Sequence, residues 1–277
     1  MSIPSIVTPP LSGTFSTESV SNDSTDLISI SEIFGPTIQG EGALIGTQTI
    51  FVRTAGCDYR CSWCDTGYAV LPEFDNDWKN MDAESVFNKI ESLSNKQAMW
   101  ITLSGGNPAM QNLEPLIKLG QAKGYKFSME TQGSIAKPWF ALLDQLTFSP
   151  KPPSSGMRFK HKGLQRCLDA CETLEIINSQ THPDVSLKFV VADQDDLLWA
   201  KEIAEQYPQL PCYVQPCNNN ADINVDNRST ADDLENKEEN SPYDQKQKML
   251  WLIDAVQSLN WTDVRVLPQL HVWLNVE

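Results

Sequence analysis

Residues 57–66 read Cys-Asp-Tyr-Arg-Cys-Ser-Trp-Cys-Asp-Thr, which places three cysteines at Cys57, Cys61 and Cys64. A loop this short brings three sulfur atoms within reach of one soft metal centre without help from the rest of the fold. Structural zinc sites and common cubane iron–sulfur clusters take four protein ligands, so a triad leaves one metal position for a group that is not protein. The spacing indicates a metal centre with an open coordination position.

The spacing alone leaves other interpretations open. A zinc ion could take a fourth ligand from His161, His182 or His271. Two of the cysteines could form a redox pair, or all three could be unrelated buried thiols.

The chain around this loop alternates between strand and helix patterns. A strand at 49–54 ends just before the cysteine loop, and its Arg53 is placed either for a surface ion pair or for bidentate binding of a carboxylate. Further strands are predicted at 99–103, 125–129, 146–148, 186–191, 212–215 and 263–267, and helices at 82–93, 113–122, 164–174, 194–206 and 243–259. Polar or glycine-rich loops follow the strands at one end. This predicts an α/β fold whose parallel sheet is rolled fully or partly into a TIM-type barrel.

Three segments are outside this alternation. Residues 1–26 are rich in Ser, Thr and Pro and predict a disordered tail, which leaves 27–277 as a single domain. Residues 218–241 predict a disordered acidic insertion. Residues 30–42 contain Gly35, Gly40 and Gly42, which permit close approach of a ligand or form an ordinary turn.

The bulk composition excludes some classes of partner. The net charge is −15 and the pI about 4.6, which argues against a nucleic-acid or anionic-membrane surface. No apolar run is long enough to span a bilayer, so a cytoplasmic protein is expected. Seven cysteines, an odd number, do not suggest a disulfide framework.

The triad, with the aromatic Trp63 before its last cysteine, resembles the signature of radical S-adenosylmethionine (SAM) enzymes, in which the amine and carboxylate of SAM chelate the open iron. Six motifs extend the resemblance: Thr-Ile-Gln-Gly-Glu-Gly (37–42), Cys-Asp-Thr (64–66), Ser-Gly-Gly-Asn-Pro (104–108), Glu-Thr-Gln-Gly (130–133), Ser-Pro-Lys (149–151) and Pro-Gln-Leu-His (268–271). Together, from about residue 28 to the end, they resemble the 7-carboxy-7-deazaguanine synthase family.

The resemblance implies a partial TIM-type barrel, the radical SAM core, and a carbon–nitrogen lyase of queuosine biosynthesis. Such an enzyme converts 6-carboxy-5,6,7,8-tetrahydropterin to 7-carboxy-7-deazaguanine with loss of ammonia. Its reduced cluster cleaves SAM to methionine and a 5′-deoxyadenosyl radical, which removes hydrogen from the substrate. The resemblance also implies Mg²⁺, a flavodoxin or ferredoxin as electron donor, and a homodimer.

The implied roles fall on particular residues. The 4Fe-4S cluster takes Cys57, Cys61 and Cys64, and Mg²⁺ takes the hydroxyl of Thr66. The SAM-binding residues are Trp63, Cys64, Asp65, Gly106, Ser149, Pro150 and Lys151, with Gln215, Pro216, Cys217 and Asn218 as a further set. The substrate-binding residues are Ile38, Gln39, Gly40, Arg53 and Ser104.

The chain departs from the pattern at three places. Asn107 stands where many radical SAM enzymes have Glu, and Ser104 where Thr is common, although both keep hydrogen-bonding groups. The terminal Glu277 replaces the terminal proline of some members and receives no role. The other four cysteines predict small buried hydrophobes or, alternatively, an auxiliary cluster; they are Cys167, Cys171, Cys212 and Cys217.

Two rival functions remain at this point. One is another radical SAM enzyme, such as a glycyl-radical activase, which shares the triad but acts on a protein. The other is a non-enzymatic zinc-binding scaffold.

Overall fold

The computed structural model describes residues 27–172, 183–218 and 242–276. The predicted tail at 1–26 and residues 219–241 of the predicted insertion lie outside the described residues, as does His182. The division into a tail, one domain and an insertion therefore stays a prediction.

All strands of the described residues belong to one nine-stranded sheet. They are β1 (Ile28–Ile38), β2 (Gln48–Thr54), β3 (Lys79–Met81), β4 (Trp100–Gly105), β5 (Lys126–Thr131), β6 (Gln145–Phe148), β7 (Asp184–Val191), β8 (Cys212–Pro216) and β9 (Val264–Val266). Their order is β3-β1-β2-β4-β5-β6-β7-β8-β9. From β2 to β9 all neighbours are parallel, whereas β1 pairs antiparallel with both β2 and β3. The open sheet confirms the predicted partial barrel of parallel strands.

Helices alternate with the parallel strands, as the sequence predicts. They are α1 (Gly67–Val70), α2 (Ala83–Leu93), α3 (Glu114–Gln121), α4 (His161–Glu172), α5 (Gln194–Ala204), α6 (Pro242–Ser258) and α7 (Leu270–Leu274). The Asp82 carboxylate caps the N-terminus of α2 by accepting a hydrogen bond from the backbone N–H of Ser85. The Asp193 carboxylate caps α5 in the same way, by accepting a hydrogen bond from the backbone N–H of Asp196. None of the helices described has both the length and the apolar character that crossing a bilayer requires.

The two faces of the sheet differ in chemistry. Alternate strand residues such as Ile101, Leu103 and Phe127 are fully buried in an apolar core. The residues between them are polar, and hydroxyls bridge adjacent strands, since the Thr102 Oγ1 lies 3.0 Å from the Ser128 Oγ. Because side chains alternate along a strand, the apolar face packs on the helices and the polar face lines the barrel interior.

Four of the strands and helices described above were not predicted. The sequence interpretation treated 30–42 as a glycine-containing segment or turn, but 28–38 is a strand. Pro36 lacks an N–H for the ladder, and the β1–β2 register shifts between Phe34 and Thr37, which hides the strand pattern. The strand β3 and the helices α1 and α7 are too short for their periodicity to be recognised.

Candidate active site

A cavity of about 380 Å³ opens at the carboxyl ends of the parallel strands. Most of the residues to which the sequence analysis gave a role line it: Ile38, Gln39, Gly40, Arg53, Cys57, Cys61, Trp63, Cys64, Asp65, Thr66, Ser104, Gly106, Lys151, Gln215, Cys217 and Asn218. Such a location is expected, because the loops after parallel barrel strands meet at one face.

Three residues given a role lie behind this wall. Ser149 and Pro150 are buried, but Ser149 contacts the wall indirectly, because the Lys151 Nζ donates to its Oγ at 3.1 Å. Pro216 ends β8 and is buried beside Val191. The structure therefore brings Lys151 of the 149–151 turn, and not the whole turn, to the cavity.

The cysteine loop is held close to the end of β4. A Cβ at Gly106 would overlap the carbonyl oxygen of Gly56 and lie 3.1 Å from the Cβ of Cys57. The N–H of Asn107 also donates to the carbonyl of Gly56 at 2.8 Å. Glycine at 106 is therefore required for the close approach of these two backbones.

The three thiols face the cavity from partly buried positions. Burial raises the pKa of the Cys57 thiol, and that of the Cys61 thiol to about 11. A metal ion bound to sulfur offsets this cost, because coordination removes the thiol proton. The Cys64 Sγ also lies 3.7 Å from the Oγ1 of Thr66.

A hydrogen-bonded chain holds Trp63 in the cavity wall. The Trp63 Nε1 donates to the Ser154 Oγ at 2.9 Å, and that hydroxyl donates to the buried Asp196 at 2.6 Å. The Lys151 Nζ lies 5.9 Å from the centroid of the Trp63 ring. The indole is thus fixed from behind while one face contacts a cation.

Arg53 is held from two sides. Its Nε donates to the Glu32 Oε1 at 2.5 Å, and the Tyr68 hydroxyl donates to the same oxygen at 2.9 Å. Burial raises the pKa of Tyr68, so this hydroxyl keeps its proton. The Arg53 guanidinium also lies 5.5 Å from the centroid of the Phe34 ring. The Nε of Arg53 is occupied by Glu32, and the side chain lines the cavity. The guanidinium is therefore suited to bind an anion in the cavity.

The sequence analysis missed a charged cluster in the cavity wall. The buried Lys188 of β7 donates to the carboxylates of Glu41 and Glu130, the latter at 2.7 Å. Burial alone would lower the pKa of Lys188, but the two carboxylates raise it above its ordinary value. Burial alone would raise the pKa of Glu41, but Lys188, His271 and Gln269 hold it far below its ordinary value. Glu41 and Lys188 are therefore both charged at neutral pH.

Part of this cluster could have been found from the sequence. Glu41, Glu130 and Gln269 belong to motifs quoted above but were given no role, and His271 was named only as an optional fourth ligand of a zinc ion. Lys188 is the one charged residue in the predicted strand at 186–191, at a position whose neighbours on both sides are apolar. A single charged residue in a buried strand indicates a partner for that charge in the protein interior.

The C-terminal segment closes one side of the cavity. The Gln269 Nε2 donates to the Glu41 Oε1 at 2.9 Å, and the N–H of Leu270 donates to the Gly40 carbonyl at 2.9 Å. A Cβ at Gly40 would overlap the His271 imidazole. Glycine at 40 therefore allows the histidine to approach the cavity.

Several buried polar atoms in the wall have no partner among the described residues: the Ser104 Oγ, both side-chain polar atoms of Gln215 and the Gln269 Oε1. Buried polar atoms are rarely left unsatisfied, and an unpaired group indicates a ligand or water. These atoms fit a polar ligand such as SAM or a pterin.

Three thiols in the loop after β2, beside a polar cavity, have the arrangement expected of a radical SAM enzyme that binds a 4Fe-4S cluster and SAM. A family model described as a 4Fe-4S single cluster domain matches residues 38–134, which include the triad. The structure also resembles that of QueE from Escherichia coli, with a TM-score of 0.59 and 19% identity over 91% of this chain and 100% of that one. At that identity the likeness shows the fold.

Sequence relatives show the family. The chain is 39% identical to 7-carboxy-7-deazaguanine synthase of Bacillus cereus over 252 residues, which cover 90% of this chain and 97% of the relative. It is 40% identical to the protein of the same name from Bacillus subtilis, over 89% of this chain and 96% of that relative. The chain belongs to the 7-carboxy-7-deazaguanine synthase family.

Proposed function

We propose that this protein converts 6-carboxy-5,6,7,8-tetrahydropterin to 7-carboxy-7-deazaguanine with loss of ammonia, in queuosine biosynthesis. The observation that carries the proposal is the cavity itself. It brings together three thiols, a held arginine and unpaired polar atoms within one space at the carboxyl ends of the strands. Family membership supports the same reaction over a glycyl-radical activase or a zinc scaffold.

In this proposal the cysteine loop holds both cofactors. Cys57, Cys61 and Cys64 ligate the 4Fe-4S cluster, and Trp63 and Lys151 contact SAM. Asp65 lies within the loop and Gly106 beside it, while Gln215, Cys217 and Asn218 approach from the end of β8. Ser149 and Pro150 shape the turn of Lys151, and Pro216 supports the backbone from behind. The unpaired amide of Gln215 supports this assignment, because SAM has donors and acceptors to satisfy it.

Arg53 places a cation on the substrate side of the cavity, where it can pair with a carboxylated pterin. Arg53 binds the substrate carboxylate, since a guanidinium gives charge-assisted hydrogen bonds to that group. Ser104 offers its unpaired hydroxyl, and Ile38, Gln39 and Gly40 form the wall against the ring.

Mg²⁺ is the third group proposed for this site. Thr66 supplies its hydroxyl, which suits an ion that prefers oxygen ligands and takes few of them from protein. The hydroxyl lines the cavity beside Cys64. Substrate oxygens and water would complete the coordination.

The chain's own task is to orient the substrate and exclude water. When bound, the reduced cluster supplies the electron for reductive cleavage of SAM, and this cleavage provides the radical chemistry. Arg53 orients the carboxylate, and it is held by Glu32, which in turn accepts a hydrogen bond from Tyr68. The segment from Gln269 to His271 narrows the cavity on the side of Glu41 and shields the reacting groups from solvent.

An anaerobic assay with reconstituted protein, carboxytetrahydropterin, SAM, a chemical reductant and Mg²⁺ tests the proposal. The expected product has the mass of 7-carboxy-7-deazaguanine. SAM cleavage without that product would reject the substrate assignment, and stoichiometric zinc without iron or sulfide would reject the cofactor assignment. Omitting Mg²⁺ in a parallel reaction tests whether the reaction needs this cation.

The proposal extends to partners. A flavodoxin or ferredoxin delivers the electron and two copies form a homodimer, as the family resemblance implies, and the protein acts in the cytoplasm. Replacement of the chemical reductant by reduced flavodoxin tests the electron donor. Light scattering of the purified protein tests the dimer.

A further inference from the structure

One carboxylate oxygen joins three loops at the edge of the cavity. The Asp58 Oδ1 accepts from the Asn107 Nδ2 at 2.8 Å and from the Gln132 Nε2 at 2.6 Å. Asp58 lies in the cysteine loop, Asn107 follows β4, and Gln132 follows β5. Asn107 is fully buried, and Gln132 is 6% exposed. The cysteine loop is therefore tied to the ends of two strands through a single residue.

The surrounding bonds fix the orientation of the Asn107 amide. Its Oδ1 accepts from the Thr131 Oγ1 at 2.8 Å and from the N–H of Ala109 at 3.2 Å. Its nitrogen must therefore face Asp58, because only the amide oxygen can accept from those two donors. A carboxylate at position 107 would instead face the carboxylate of Asp58. The asparagine therefore supplies the hydrogen-bond donor that Asp58 needs.

The side-chain nitrogen of Gln132 donates two hydrogen bonds. Besides Asp58, its Nε2 donates to the Cys57 Sγ at 3.7 Å. An NH₂ group has two hydrogens, so both bonds can exist together. The Asp58 carboxylate thus holds the Gln132 amide beside the sulfur, and the backbone N–H of Tyr59 adds a second donor to that sulfur at 3.4 Å.

We propose that Gln132 raises the reduction potential of the cluster through its hydrogen bond to Cys57, and that Asp58 is the positioning residue that holds the Gln132 amide there. A hydrogen bond to a ligand sulfur stabilises the more negative, reduced cluster more than the oxidised one. The proposal rests on the proposed ligand role of Cys57.

The test is a double-mutant cycle on the reconstituted protein, with potentials measured by electron paramagnetic resonance during redox titration. Gln132→Leu is expected to lower the potential. Asp58→Ala removes a negative charge, which by itself raises the potential, and it also releases the amide, which lowers it. The shift caused by Asp58→Ala should therefore be more negative with Gln132 present than in the Gln132→Leu background.

Gln111→Leu is the matched control, since the Gln111 Nε2 donates to the Ala55 carbonyl near the same loop. Its potential should equal that of the wild type. An unchanged potential in Gln132→Leu, or additive shifts in the cycle, would overturn the proposal. Gln132→Met is a second variant that lacks a hydrogen-bond donor at this position. If Gln132→Leu and Gln132→Met both fail to bind iron while Gln111→Leu binds it, the proposal is also overturned. Absence of iron and sulfide from the wild type would instead overturn the proposed function.

Discussion

The ammonium of Lys188 lies 2.7 Å from the carboxylate of Glu130 in the interior of the barrel, where the lysine side chain is only 2% exposed. Glu41 contacts the same ammonium. A lysine this buried is tolerated because two carboxylates compensate its charge. The cluster joins β5, β7 and the segment after β1, so it links distant parts of the chain at the cavity wall.

Lys188→Met should therefore destabilise the protein by about 3 kcal/mol, because it leaves two partly buried carboxylates without their cation. Urea denaturation of the two proteins measures the difference. Lys201→Met is the control, since the more exposed Lys201–Glu205 pair at the C-terminal end of α5 should contribute less than about 1 kcal/mol. Equal stability of Lys188→Met and wild type would contradict the account.

The lowered pKa of Glu41 predicts a pH dependence. In the folded protein this pKa lies below its ordinary value of 4.5, so ionised Glu41 stabilises the fold above that pH. The contribution is lost as the pH falls toward the folded pKa. The free energy of unfolding of wild type minus that of Glu41→Gln should be constant near neutral pH and shrink below 4.5. A difference that persists unchanged in acid would refute the assignment.

Arg53→Ala should raise the KM for carboxytetrahydropterin by roughly 10- to 100-fold, the equivalent of about 1.5–3 kcal/mol for a hydrogen bond to a charged group. Glu32→Ala should raise KM by a smaller factor, because it frees the guanidinium without removing it. Steady-state kinetics with saturating SAM measure both. Lys118→Ala, on the exposed face of α3, should leave KM unchanged. A wild-type KM in Arg53→Ala would exclude the carboxylate role.

Gly106→Ala should prevent the cysteine loop from reaching its position, because the new Cβ overlaps the Gly56 carbonyl. The expected result is a large loss of bound iron and sulfide after reconstitution. Gly46→Ala is the control. Its Cβ meets nothing within 4 Å, although its φ of +81° makes the substitution strained. Full iron loading in Gly106→Ala would show that the close approach is not needed.

Local patterns predicted much of this structure. The predicted strand at 49–54 became Gln48–Thr54 and the predicted helix at 82–93 became Ala83–Leu93, because periodicity and the Asp82 cap are encoded locally. The strand β1 was missed because Gly35 and Pro36 interrupt its pattern. Antiparallel pairing at that edge has no local signature.

The site was predictable where residues lie in recognisable motifs. Cys57, Cys61 and Cys64 are close together in sequence, and all three line the cavity. The pairing of Lys188 with Glu41 and Glu130 depends on which strands are neighbours and which face is interior, and neither follows from one segment. The same holds for Asp58 and Gln132, which are 74 residues apart.

The central claim is that three cysteines hold a cluster whose fourth iron is left for SAM inside this cavity. A crystal structure of the anaerobically reconstituted protein with SAM tests it directly. We predict Cys57, Cys61 and Cys64 on three irons, with the amine and carboxylate of SAM on the fourth. A protein side chain on that fourth iron, or SAM bound away from the cluster, would contradict the account.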